Sequence, residues 1–147
     1  GGGPHARLFK EVRERRSLAY SVHAEIDHRK GLMLVSAGLD EAAAATVEGL
    51  VQREIAALSA GAFSSDELAT AKAGIVSSLH AIDDSVAARM SFTFERLLDG
   101  LDREPREHAA VYAATTADAV ARSVTGLWLD HVYLLAPASS ARTATAP

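Results

Sequence analysis

Arg7-Leu8-Phe9-Lys10-Glu11-Val12-Arg13-Glu14-Arg15-Arg16-Ser17-Leu18-Ala19-Tyr20 changes period in its middle, and that change decides the fold. From His5 to about Arg16 the apolar residues Leu8, Phe9 and Val12 recur at helical spacing, leaving Arg7, Lys10, Glu14 and Arg15 for solvent. From Ser17 the pattern alternates. Leu18, Tyr20, Val22, Ala24 and Ile26 are expected on one face of a strand, with Ser17, Ala19, Ser21, His23, Glu25 and Asp27 on the other. A basic amphipathic helix therefore runs straight into a half-buried strand. Arg13 and Tyr20 sit on either side of the junction. Arginine offers a planar fork of N–H donors and tyrosine an O–H on a rigid ring, both suited to gripping a peptide backbone.

Outward from the junction, His28-Arg29-Lys30-Gly31 is a polar turn that ends in glycine, as a hairpin needs. Leu32-Met33-Leu34-Val35 is apolar on both faces, so the second strand is expected to be central in its sheet. The link is too short for a crossover, so the pair is antiparallel. Asp40 is expected to cap a helix running to about Ala60, with a stripe through Val47, Leu50, Val51, Ile55 and Leu58 and a stop at Gly61. Ser64 with Glu67 three residues on, flanked by Phe63 and Leu68, is a complete helix start. Leu68, Ala71, Ile75, Leu79 and Ile82 then mark a stripe expected to be buried. Asp83-Asp84-Ser85 re-caps the chain, and a further helix passes through Val86, Met90, Phe94 and Leu97 to Gly100. Thr115 and Asp118 resemble one more start, with a helix to about Gly126, and Leu129 to Leu135 reads as a closing strand.

This order is α+β: a mostly antiparallel sheet with helices packed on one face. Three strands are few for so many helices, so a strand and a helix are expected before Gly1, whose glycine run reads as a flexible connection. The chain divides into a partial domain at residues 1–135 and a flexible Ala/Ser/Thr/Pro-rich tail at residues 136–147.

The 147 residues suffice for one core. A net charge of −4 gives no electrostatic case for nucleic acid or an anionic membrane. Glu11 and Glu14 interrupt the basic helix and no aromatic platform accompanies it, so nucleic acid is not an expected partner. The absence of cysteine excludes disulfides, thiolate zinc sites and a Cys nucleophile, and fits a reducing, cytoplasmic compartment. No apolar run approaches the roughly 20 residues that span a bilayer, so no membrane partner is expected. The glycine run lacks the Lys-Ser/Thr of a phosphate loop, and no nucleophile-elbow pattern occurs. A helical zinc site needs two imidazoles at i and i+4 with a general-base Glu between them. His5, His23, His28, His80, His108 and His131 offer no such pair. The nearest cluster, His23, Glu25 and His28, reads as a solvated strand face.

The run Gly1-Gly2-Gly3, Arg7-Leu8-Phe9, Glu11-Val12-Arg13-Glu14, Arg16 and Leu18-Ala19-Tyr20 resembles the C-terminal domain of pitrilysin/insulinase-type zinc peptidases and is similar to the processing-peptidase-like proteins of bacteria. The resemblance continues through Lys30 to Leu39, Phe63 to Lys72, more weakly Thr116 to Val120, and the segment before Pro137. It implies two homologous halves that close around a peptide. One half carries His-x-x-Glu-His, absent here; the other contributes an Arg and a Tyr seven residues apart, the spacing of Arg13 and Tyr20. On this resemblance Arg13 and Tyr20 bind substrate, and this chain holds neither a catalytic residue nor a metal ligand. Zinc is expected in a homologous half in the same or another chain, the substrate is a peptide, and the chain alone should be inactive. The alternative is a domain of an inactive family member that serves as a scaffold or peptide-binding subunit. An uncovered strand edge in such a piece is expected to promote self-association.

Overall fold

A computed structural model describes residues 6–136, so the readings of Gly1 to His5 and of the tail beyond Ala136 lie outside the described residues. The segment before the junction is not the regular α-helix its spacing suggests. The Arg15 N–H reaches back to the Lys10 carbonyl at 2.9 Å, and Phe9–Glu14 forms a π-helical turn. Val12 sits in its middle, completely buried. The Leu18 N–H returns to the Val12 carbonyl at 2.9 Å. Between them Ser17 adopts φ +49°, the left-handed region, and swings the chain from helix to strand.

Strands β1 (Ala19–Asp27) and β2 (Leu32–Leu39) form an antiparallel hairpin. Its turn is held by Asp27, whose Oδ1 accepts the Lys30 N–H at 3.1 Å, and by Gly31 at φ +64°. The expected alternation fails at one place. Pairing runs from Ala19–Leu39 to Ser21–Gly38, which leaves Tyr20 as the extra residue of a β-bulge. Beyond the bulge, Val22, Ala24 and Ile26 lie on the same side as Ala37, Val35 and Met33. Ala19, not Tyr20, takes the buried position at the start of the strand, and Tyr20 is 71% exposed. The core is Val12, Ala19, Val22, Val47 and Leu50, with Leu8, Phe9, Val35 and Val51 packed against it.

Helix α1 (Ala44–Ser59) packs on this face, followed by α2 (Ser65–His80), α3 (Val86–Leu98), α4 (Pro105–Ala114) and α5 (Ala117–Val124), with α5 against α1. A 3₁₀ turn at Glu41–Ala43 leads into α1, and Gly61 at φ +68° follows its end. The fold is α+β. Ser64 and Glu67 form their reciprocal cap: the Glu67 N–H donates to Ser64 Oγ at 3.1 Å, and the Ser64 N–H donates to Glu67 Oε2 at 2.8 Å. The cap of α5 is Thr116 rather than Thr115, with the Ala119 N–H on its Oγ1 at 3.2 Å.

Several expectations are corrected. β2 is not central: among the described residues the sheet has two strands, and Leu32 and Leu34 are exposed. Leu129 to Leu135 is not a strand. Alternation and apolar character make a β tendency, but a strand exists only when its N–H and C=O groups find a neighbour, and none pairs with it among the described residues. The α2 stripe is partly open, with Ile75 exposed, and Val86, Met90, Phe94 and Leu97 of α3 face solvent. Helix α4 has no counterpart in the sequence reading. Its Ala-rich span lacks an apolar stripe, and Pro105 at its first turn with Glu104 and Glu107 in a reciprocal cap is its only start signal. It packs against α2.

Candidate functional site

Arg13, Ser17, Leu18, Ala19, Tyr20 and Asp40 line an open groove of about 430 Å³ at the helix–strand junction. Arg13 closes the π-helical turn. The wide turn stacks its guanidinium over the Phe9 ring, 5.0 Å from the centroid. At an exposed site this contact contributes about 0.5–1 kcal/mol, enough to favour one orientation of a long side chain. Among the described residues the Arg13 guanidinium has no hydrogen-bond or ion-pair partner, so its N–H donors remain free for a ligand.

Tyr20 enters the groove because of the bulge. Its hydroxyl donates to Asp40 Oδ1 at 3.1 Å. The Asp40 carboxylate holds the phenol above its ordinary pKa, chiefly through this hydrogen bond and then through its charge. The ring is therefore a neutral phenol at physiological pH. Asp40 does not perform the capping role expected of it. Its side chain makes no bond to the following turn, and its backbone carbonyl instead accepts the Ala43 N–H at 2.8 Å. Asp40 and Ser17 are the two polar groove residues that sequence reasoning missed. Their roles depend on the bulge and on a left-handed backbone, neither of which leaves a periodic trace.

A second groove of about 460 Å³ lies between the N-terminal segment and the start of α2, lined by Arg7, Lys10, Glu11, Arg15, Ser64 and Glu67 among others. Its arginines are already satisfied. Arg7 Nε meets Glu54 Oε2 at 2.7 Å and its NH1 donates to the Ala62 carbonyl at 2.8 Å, while Arg15 pairs with Glu11. It is an ion-paired surface that ties the N-terminal segment to α1 and α2. The junction groove, with its free guanidinium, is the better candidate.

Among the described residues no group of three or more His, Cys, Asp or Glu side chains could hold a metal ion, so the donor set does not fit zinc. His23 and Glu25 lie on the outer face of β1, while His28 at the hairpin tip bonds Asp99 through Nε2 at 2.8 Å. No helix among the described residues is long and apolar enough to cross a membrane.

A family model described as the peptidase M16 inactive domain matches residues 1–75 of the 147. The chain is 25% identical over 135 residues to a protein of Bacillus subtilis (strain 168) named probable inactive metalloprotease YmfF; the match covers 92% of this chain and 32% of that protein. Among solved structures it resembles a conserved protein from Enterococcus faecalis V583, with a TM-score of 0.75 and 26% identity over 84% of this chain and 29% of that one. The chain thus spans about a third of the length of these relatives.

Proposed function

The chain belongs to the M16 peptidase family as an inactive domain of the pitrilysin/insulinase type, and from that premise we propose that it is the non-catalytic, peptide-holding half of such a protein. Arg13 gives N–H donors to backbone carbonyls of an extended peptide, and Tyr20 orients the backbone beside it. Hydrolysis is the work of a zinc-bearing homologous domain, in the same or another chain, in the cytoplasm. The observation that supports this reading is the shared groove: an unpaired guanidinium and a neutral phenol line one open cleft. Both are groups that bind peptide units without needing a particular side chain.

The test is peptide hydrolysis by the full-length protein or complex. Arg13→Ala is expected to lower kcat/KM roughly tenfold to a hundredfold, the scale of a charged hydrogen bond. Tyr20→Phe should cost roughly threefold to tenfold. Unchanged kcat/KM in both variants would end the reading.

The name given to the Bacillus subtilis relative, a probable inactive metalloprotease, favours a second reading. The full-length protein would then bind peptides as a scaffold without zinc chemistry. Zinc content and a search of the full-length sequence for His-x-x-Glu-His separate the two. In either case peptide affinity should depend on Arg13 and Tyr20.

A further inference from the structure

Resting on the reading that the groove holds peptide, we propose that Asp40 is a positioning residue that fixes the hydrogen-bond polarity of Tyr20, so that the phenol accepts a peptide N–H while Arg13 donates to a neighbouring carbonyl. A phenol has one hydrogen. In the structure that hydrogen is spent on Asp40 Oδ1. A peptide carbonyl would have to displace a carboxylate to claim it, exchanging a charge-assisted bond for a neutral one, which is the weaker alternative. The lone pairs of the phenolic oxygen stay available. The groove then has a donor side, Arg13, and an acceptor side, Tyr20 Oη. An extended peptide offers matching groups, since its backbone alternates C=O and N–H along its length. Asp40 also fixes the ring. Tyr20 is largely exposed, and the Asp40 bond is the polar contact that holds its hydroxyl in place. An anionic ligand such as a phosphate would meet Asp40 as a like charge, which leaves the peptide backbone as the better match.

Two measurements on the full-length protein test this. The first is the titration of Tyr20, followed by ¹³C NMR of ring-labelled tyrosine. The wild-type phenol should titrate above the ordinary tyrosine range, and Asp40→Ala should bring it back into that range. The second uses a panel of fluorescein-labelled decapeptides read by fluorescence anisotropy, in which backbone amides of the tightest binder are replaced one at a time by esters. One replacement should weaken binding to wild type about threefold to tenfold and have no effect in Tyr20→Phe. Asp40→Ala should weaken binding by a similar factor. Asp40→Asn, which keeps an oxygen acceptor, should retain most of it. Tighter binding by Asp40→Ala would overturn the proposal, because it would mean that Asp40 competes with peptide for the phenolic hydrogen. So would an ester scan with no position coupled to Tyr20, or a Tyr20 titration indifferent to Asp40. If no peptide binds, or Arg13→Ala binds as wild type does, the peptide reading itself falls and takes the proposal with it. A Tyr20 titration still shifted by Asp40 would mark that failure as one of ligand class and not of the Asp40 bond.

Discussion

Ser17 shows how much of the site is carried by single residues. At φ +49° it occupies a region that costs an L-residue roughly 1–2 kcal/mol. It does so to place Arg13 and Tyr20 on the same cleft within seven residues of chain. Ser17→Gly removes the strain but gives the unfolded chain more freedom, so a net gain of at most about 1 kcal/mol is expected. Ser17→Val, β-branched at a left-handed position, should lose about 2 kcal/mol. Urea unfolding of the two variants checks this, and equal stabilities would mean that the junction backbone is not strained. The Tyr20–Asp40 bond also has a pH signature. The folded phenol titrates above the unfolded one, so the bond's contribution is fully present below about pH 10 and fades as pH rises through the folded value. The groove should therefore keep its form across the neutral range. The nearness of Arg13 and Tyr20 was legible in the sequence because both flank a helix–strand junction, which is a local pattern. Asp40 was legible only as a generic helix start, because the bulge that brings Tyr20 toward it is a property of strand pairing.

Among the elements, legibility follows how local the determining contacts are. The Ser64–Glu67 box is written in four consecutive residues, and it forms as read. Ser64→Ala should cost about 1 kcal/mol in thermal or denaturant unfolding, with Glu67→Ala costing part of the same amount because the two bonds are reciprocal. Helix α4 depends on packing against α2, a contact with no sequence periodicity of its own. Helix α3 is held to the hairpin by charge. Arg29 at the tip reaches Asp99 at 2.8 Å and Glu95 at 2.6 Å, His28 bonds Asp99, and Arg96 pairs with it at 2.7 Å. The hydrogen bond from His28, then Arg29, holds the Asp99 carboxyl below its usual range despite partial burial, which acts the other way. Because the folded value lies below the unfolded one near 3.9, this stabilisation is present above about pH 4 and is lost as pH falls through the folded value. Asp99→Asn should mimic acid at neutral pH. Amide exchange over Val86–Leu98 is expected to speed up while the first turn of α2 is unchanged. Exchange that stays slow over α3 would show that packing, not the ionic clip, holds the helix.

For the whole molecule, the decisive quantity is surface. Among the described residues three apolar surfaces lie open to solvent. One is the α3 face, where Phe94 and Leu97 are 60% and 69% exposed. Another is the extended run with Trp128 and Leu135 at 80% and 84%. The third is the outer side of β2, where Leu32 and Leu34 lie opposite Asp27 and Glu25. Leu32 to Val35, apolar on both faces, is the pattern of a strand covered on both sides and paired at both edges. Among the described residues one edge and one face of β2 are open. A two-stranded sheet that leaves Leu32 and Leu34 open on its outer face is marginal alone and a template for pairing. The isolated chain is therefore expected to self-associate, with sedimentation coefficients that rise with concentration. Leu34→Lys places a charge on the open face at a position with little to lose, so it should reduce association while moving stability by no more than about 0.5 kcal/mol. A single monomeric species that melts cooperatively, and that Leu34→Lys does not alter, would mean that these apolar faces find cover within one copy of the chain.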